Sequence, residues 1–174
     1  MRRLIFSFTV VVSLILASSN LFAQAPQSPG KEHDELKSLE GMWDATMKMV
    51  DGSEFKAETE YKMTCEGMWL TSNFRGDFGG LKFHGKGLDG YDATKKEYVS
   101  VWVDSMSGSP MVMTGKKEGK ITTMMGEGPG PAEVAKYKTV TSEESNDKMT
   151  FQMFTVSDGK DMEVMTITYT RKKK

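Results

Sequence analysis

From residue 42 onward the chain alternates apolar and polar residues with a period of two. Trp43, Ala45, Met47 and Met49 are interleaved with Asp44, Thr46 and Lys48. Successive side chains on a strand point to opposite faces, so this pattern predicts a strand with one covered and one wet side. Asp51-Gly52 is a hairpin signal. The return run sets Phe55, Ala57, Thr59, Tyr61 and Met63 against Lys56, Glu58, Glu60 and Lys62. Glu66-Gly67, Gly79-Gly80, the polar run Tyr91 to Lys96, Ser107 to Pro110, Lys117 to Lys120 and Asp158-Gly159 punctuate further short runs. These are Met68 to Phe78, Leu81 to Asp89, Tyr98 to Met106, Met111 to Lys116, Ile121 to Met125, Val134 to Val140, Met149 to Val156 and Asp161 to Arg171. Gly126 to Pro131 reads as the one clear loop. About ten short strands at 8–12-residue spacing predict an all-β protein. The short connections favour a single antiparallel up-and-down barrel, whose closure leaves no exposed sheet edge.

Before the strands the period differs. Leu36 and Leu39 lie three apart in Glu32 to Glu40, with acids crowding the first turn, which predicts a short amphipathic helix ended by Gly41. Residues 26–30 read as a Pro/Ser/Gly linker. Residues 1–25 read as an export signal: Arg2-Arg3, an apolar run from Leu4 to Leu16, then Ala23-Gln24-Ala25, with cleavage after Ala25 or after Ala23. That apolar run falls short of the roughly 20 residues a bilayer anchor needs. The expected mature chain is one barrel domain, 31–174, periplasmic or secreted, with no membrane span.

Charge narrows the partners. The chain has 23 basic and 24 acidic residues, and loss of Arg2 and Arg3 leaves a net −3. Nucleic acid binding needs a concentrated basic face, which is absent. The single cysteine, Cys65, excludes an internal disulfide, so the core must stabilise the fold unaided.

Motif matches carry little chemistry. Gly85-Lys86-Gly87-Leu88-Asp89-Gly90 spells the dinucleotide fingerprint, but that motif requires a helix after the turn and here a strand follows. His33 and His84 show no metal-ligand spacing, and no catalytic triad can be built from spacing. No metal or cofactor is expected, and no catalytic residue is assigned. The methionines are unusual: 14 besides Met1, including Met47-x-Met49 and Met111-x-Met113. Such pairs put two thioethers on one face, suited to core filling, to lining an adaptable pocket, or to Cu(I).

The stretch from Arg75 to Gly108 holds the other clue. Along Tyr98 to Asp104 one face carries Tyr98, Ser100, Trp102 and Asp104, and the other Val99, Val101 and Val103. If the tryptophan face points inward, Asp104 needs a buried partner, for which Arg75 is the candidate. If the valines face inward, the Trp102 face packs beneath a loop.

Gly41-Met42-Trp43 after a short helix resembles the G-x-W opening of lipocalin-like (calycin) barrels. With Gly76-Asp77-Phe78, Gly90-Tyr91-Asp92, Tyr98-Val99-Ser100, Trp102-x-Asp104-Ser105-Met106 and Tyr169-Thr170-Arg171, the mature chain resembles the bacterial family catalogued as domain of unknown function fifteen-seventy-nine. The resemblance implies a lipocalin-like barrel with Trp43 sealing one end, and no catalytic roles. Similar haem-binding barrels use a late histidine, and none follows His84 here. The expected function is binding of a small hydrophobic or amphipathic molecule in the interior, by Trp43, Arg75, His84, Tyr91, Trp102 and Asp104. The alternatives are an enzyme using Asp104 or His84 in that pocket, and Cu(I) binding through paired methionines.

Overall fold

A computed structural model describes residues 27–131 and 133–173. The predicted signal segment lies outside the described residues. One helix, α1 (Lys31–Lys37), precedes ten strands: β1 (Gly41–Met49), β2 (Glu54–Thr64), β3 (Trp69–Phe78), β4 (Leu81–Asp92), β5 (Glu97–Asp104), β6 (Met111–Glu118), β7 (Ile121–Pro129), β8 (Val134–Ser145), β9 (Lys148–Ser157) and β10 (Lys160–Arg171). Each strand pairs antiparallel with the next, and β10 returns to β1, closing the barrel. The closing register runs from Trp43 opposite Arg171 to Met49 opposite Met165. The expected single up-and-down barrel is therefore the observed fold.

Two expected boundaries move. Helix α1 is shorter than Glu32 to Glu40, and Gly41 opens β1 instead of merely ending the helix. The supposed loop from Gly126 is largely strand: Gly126 pairs with Met113 on one side and Tyr137 on the other. A Cβ there would lie 2.0 Å from the Val112 carbonyl oxygen and 2.7 Å from the Met113 Cα. Glycine at this position permits two backbones to approach closely where the wall bends, so it marks curvature and not a break.

The inward rows follow the alternation. β1 contributes Trp43, Ala45 and Met47, β2 contributes Ala57 and Thr59, and β3 contributes Leu70, Ser72 and Phe74; all are buried. α1 lies against β2, β3 and β4 and closes one end. There Leu36 packs on Leu70 and Tyr98. The loops after β1, β3, β5, β7 and β9 surround the opposite end, the mouth.

The closed end is tied by more than apolar contact. The Trp43 indole N–H donates to the Leu39 carbonyl at 2.9 Å, and the Arg171 guanidinium stacks 4.1 Å over the Trp43 ring. Arg171 also donates to the Glu40 and Ser38 carbonyls, which joins the last strand to the turn after α1. Lys117 meets Glu143 at 2.7 Å and Glu35 at 3.4 Å, and the Tyr98 hydroxyl donates to Glu35 at 2.9 Å. The helix is thereby held to β5, β6 and β8.

Candidate functional site

The strand β5 settles which face looks inward. Tyr98, Ser100, Trp102 and Asp104 lie opposite Tyr91, Asp89, Gly87 and Gly85 of β4, on the lumen side, while Val103 is exposed on the outer wall. The Trp102 ring lies against β4, where a Cβ on Gly85 would sit 2.1 Å from its Cζ2. Gly85 therefore serves as the flat bed for an indole, which accounts for part of the fingerprint-like glycine run. Phe74 meets the same indole edge-on at 6.2 Å.

Asp104 finds its partners nearby. Its carboxylate accepts the Trp102 indole N–H at 2.9 Å and the Met106 backbone N–H at 2.8 Å. The expected partnership with Arg75 does not form. Inward positions on β3 are Ser72 and Phe74, so Arg75, one residue on, points outward opposite Glu58 and His84. His84 is likewise exposed on the outer wall. Those two residues and Asp104 border a shallow groove of about 300 Å³ at the rim, not the lumen. Trp43 is 1% exposed and belongs to the sealed floor. Tyr91 stands edge-on to His33 and Tyr98, supporting α1.

The lumen has two unlike sides. Trp43, Ala45, Met47, Ala57, Phe74, Phe83, Met149, Ile167 and Tyr169 form one packed cluster. Ser100, Trp102, Met111, Met124, Phe151 and Met165 also point inward but remain only half-buried, and of these Trp102, Phe151 and Met165 pack against that cluster. Their partial exposure sets them apart from the fully covered residues of that cluster. Gly115, Gly126 and Gly128 sit in the same rows of β6 and β7, where a Cβ would meet the Thr123 carbonyl oxygen, the Val112 carbonyl oxygen and the Met111 side chain, so they mark close approach. Methionine supplies much of the rest: Met113 and Met153 pack with Met111, Met124 and Met165. Thioether chains with three rotatable bonds refill irregular space readily.

One ionisable group absent from the expected set sits within this interior. Asp89 points inward from β4, opposite Leu70 and Ser100. Burial pushes its carboxyl up to about 6, partly offset by a hydrogen bond with the Ser100 side chain. Burial also raises the Tyr61 phenol well above its ordinary value, followed by the influence of Tyr169 and then of the Asp89 charge. Tyr169 is raised by burial and by the same Asp89 charge, while its contact with Tyr61 lowers it. Asp89, Ser100, Tyr61 and Tyr169 thus converge beneath the α1 plug, with an aromatic and methionine-rich wall between them and the mouth. The signal for Asp89 was present in the sequence. It shares a parity with Gly85 and Gly87, the glycines that face Trp102 and Ser72.

Among the described residues, no group of three or more His, Cys, Asp or Glu side chains could hold a metal ion, and no helix is long and apolar enough to cross a membrane. The family model described as protein of unknown function (DUF1579) matches residues 28–171. No curated protein matches the chain. Among solved structures, an S-type phycobiliprotein lyase from Guillardia theta is similar, with 9% identity, TM-score 0.54, and coverage of 82% of this chain and 93% of that one. A de novo designed fluorescence-activating β-barrel is similar at 16% identity and TM-score 0.49, over 80% of this chain and 98% of that one. A redesigned barrel bound to DFHBI matches at 17% identity and TM-score 0.47, over 77% and 99%. At these identities the likeness concerns the fold alone.

Proposed function

We propose, for a chain that belongs to the DUF1579 family of proteins of unknown function, that the barrel is a carrier for a small apolar or amphipathic molecule held in its lumen. One observation supports this reading above the rest. Inward-facing Ser100, Trp102, Met111, Met124, Phe151 and Met165 keep accessible surface although the wall around them is closed. A concave apolar space with a few convergent polar groups is the usual build of a small-ligand site. The ligand enters at the mouth, because α1, Trp43 and the Arg171 bridge block the other end. Trp102 and Met111 line its path.

Export belongs to the same proposal. The Arg2-Arg3 start, the apolar run and Ala23-Gln24-Ala25 support removal of the first segment and work outside the cytoplasm. Native mass spectrometry of protein isolated from its own host tests both parts. The expected result is a chain starting at Gln24 or Pro26 with extra mass that leaves on denaturation. A clean unliganded mass, with no melting shift across a lipid and metabolite panel, would sink the carrier reading.

A further inference from the structure

The polar patch under the plug has a sign. Asp89 faces the lumen, and none of the ion pairs among the described residues includes it. Two cations at the closed end, Lys117 and Arg171, are committed elsewhere. Lys117 is shared between Glu143 and Glu35, and Arg171 is spent on carbonyls, Asp147 and the Trp43 ring. Tyr61 and Tyr169, on the inward rows of β2 and β10, feel the charge of Asp89, and Ser100 lies opposite it on β5. These are hydroxyls, neutral throughout the physiological range, so they can hydrogen-bond a carboxylate but cannot balance its charge. A half-buried carboxylate among apolar side chains and hydroxyls, with no cation beside it, is costly, and a ligand that brings the missing charge relieves that cost.

We propose that the lumen takes amphiphiles whose polar end is a protonated amine, seated against Asp89 with Ser100, Tyr61 and Tyr169 around it, and whose apolar part runs along Trp102 and the methionines toward the mouth. This rests on the carrier reading and narrows it. The geometry favours the head-inward orientation, since the patch lies at the sealed end and the aromatic wall lies at the open one. Carboxylate amphiphiles fit worst, because they place a second negative charge beside the first.

Three probes of equal chain length test it by titration calorimetry at pH 7.5: dodecylamine, dodecanol and dodecanoate. A charge-assisted contact in a partly dry site predicts that the amine binds about tenfold or more tighter than the alcohol, with dodecanoate weakest. Asp89→Asn should remove the amine preference, so that dodecylamine and dodecanol bind the variant within about threefold of each other. In the wild-type chain, which needs no variant, lowering the pH from 7.5 to 5 should erode the preference as Asp89 takes a proton. Dodecanol that binds while the amine gains nothing over it overturns this inference alone, as does an amine preference that survives Asp89→Asn. If none of the three probes binds, the carrier reading falls with it.

Discussion

The barrel has two inner walls written in the same code with opposite results. Both alternate strictly, and both turn one face inward. Along β1 to β3 the inward side chains Trp43, Ala45, Met47, Ala57, Thr59, Leu70, Ser72 and Phe74 are buried, with Met49, Phe55 and Tyr61 half-buried beside them. Along β5 to β7 they are Ser100, Trp102, Met111, Met113, Gly115, Met124, Gly126 and Gly128, of which only Met113 and Gly128 are fully buried. Period two decides which residues look inward. Side-chain volume and stiffness then decide whether the inside is core or cavity. One wall holds the barrel together, and the other is the one the proposed carrier role would use.

Substitutions at the two walls should therefore differ in kind. The largest effect is expected from Trp43→Ala in the packed wall. It removes the ring that Arg171 stacks on, the hydrogen bond to Leu39 and the edge-on contact with Tyr61 at 6.5 Å. Truncation of a buried tryptophan costs about 3–5 kcal/mol, measurable as a lower guanidinium midpoint with an unchanged slope. A loss below about 1 kcal/mol would mean that this end is not the packed one.

Asp89→Asn comes next and should stabilise. The folded carboxyl is pushed up from 3.8 to about 6. Below pH 3.8 both folded and unfolded states hold the proton, and Asp89 costs nothing. Between the two values the unfolded chain ionises first, so folding loses stability as pH rises, up to about 3 kcal/mol once both states are charged. Asp89→Asn should remove that slope and melt higher than wild type at pH 8 while differing little at pH 4. Equal melting temperatures at pH 8 would place Asp89 in contact with bulk water. A saturating amine probe should mimic the substitution in the wild-type chain.

How far the sequence spoke can be judged from these residues. Trp43, the alternation of β1 and β2, and the strand count were legible because turns and periodicity are local signals. The parity of β5 was not, because one face is all valine and the other mixes aromatic with polar residues, so neither is plainly core or solvent; Ser72, Gly85 and Gly87 on neighbouring strands fix it through pairing, which is a long-range fact. Arg75 was misjudged for the same reason: it shares the Trp69 face of β3, and that face looks outward. Asp89 closes the run predicted from Leu81, and only the extension of β4 to Asp92 puts it inside the strand and in register with Ser100. The glycines of β7 looked like a loop because curvature and interruption share one residue type.

The smallest effect is expected where the loose wall is changed without changing its volume. Met111→Leu with Met124→Leu keeps the surface apolar and near its original size, so stability should move by less than about 1.5 kcal/mol. What changes is compliance, since leucine has fewer rotatable bonds and no polarisable sulfur. A straight-chain probe such as dodecanol should bind within about threefold of wild type, whereas a branched or ring-bearing alcohol of similar size should lose about tenfold, because the wall can no longer reshape around it. Calorimetry on the two probes separates the outcomes. A stability loss above about 2 kcal/mol would show that these methionines are as tightly set as Phe74, and the contrast between the walls would fail. Equal losses for both probes would show that the space is fixed in shape, with methionine there as filler and not as an adjustable lining.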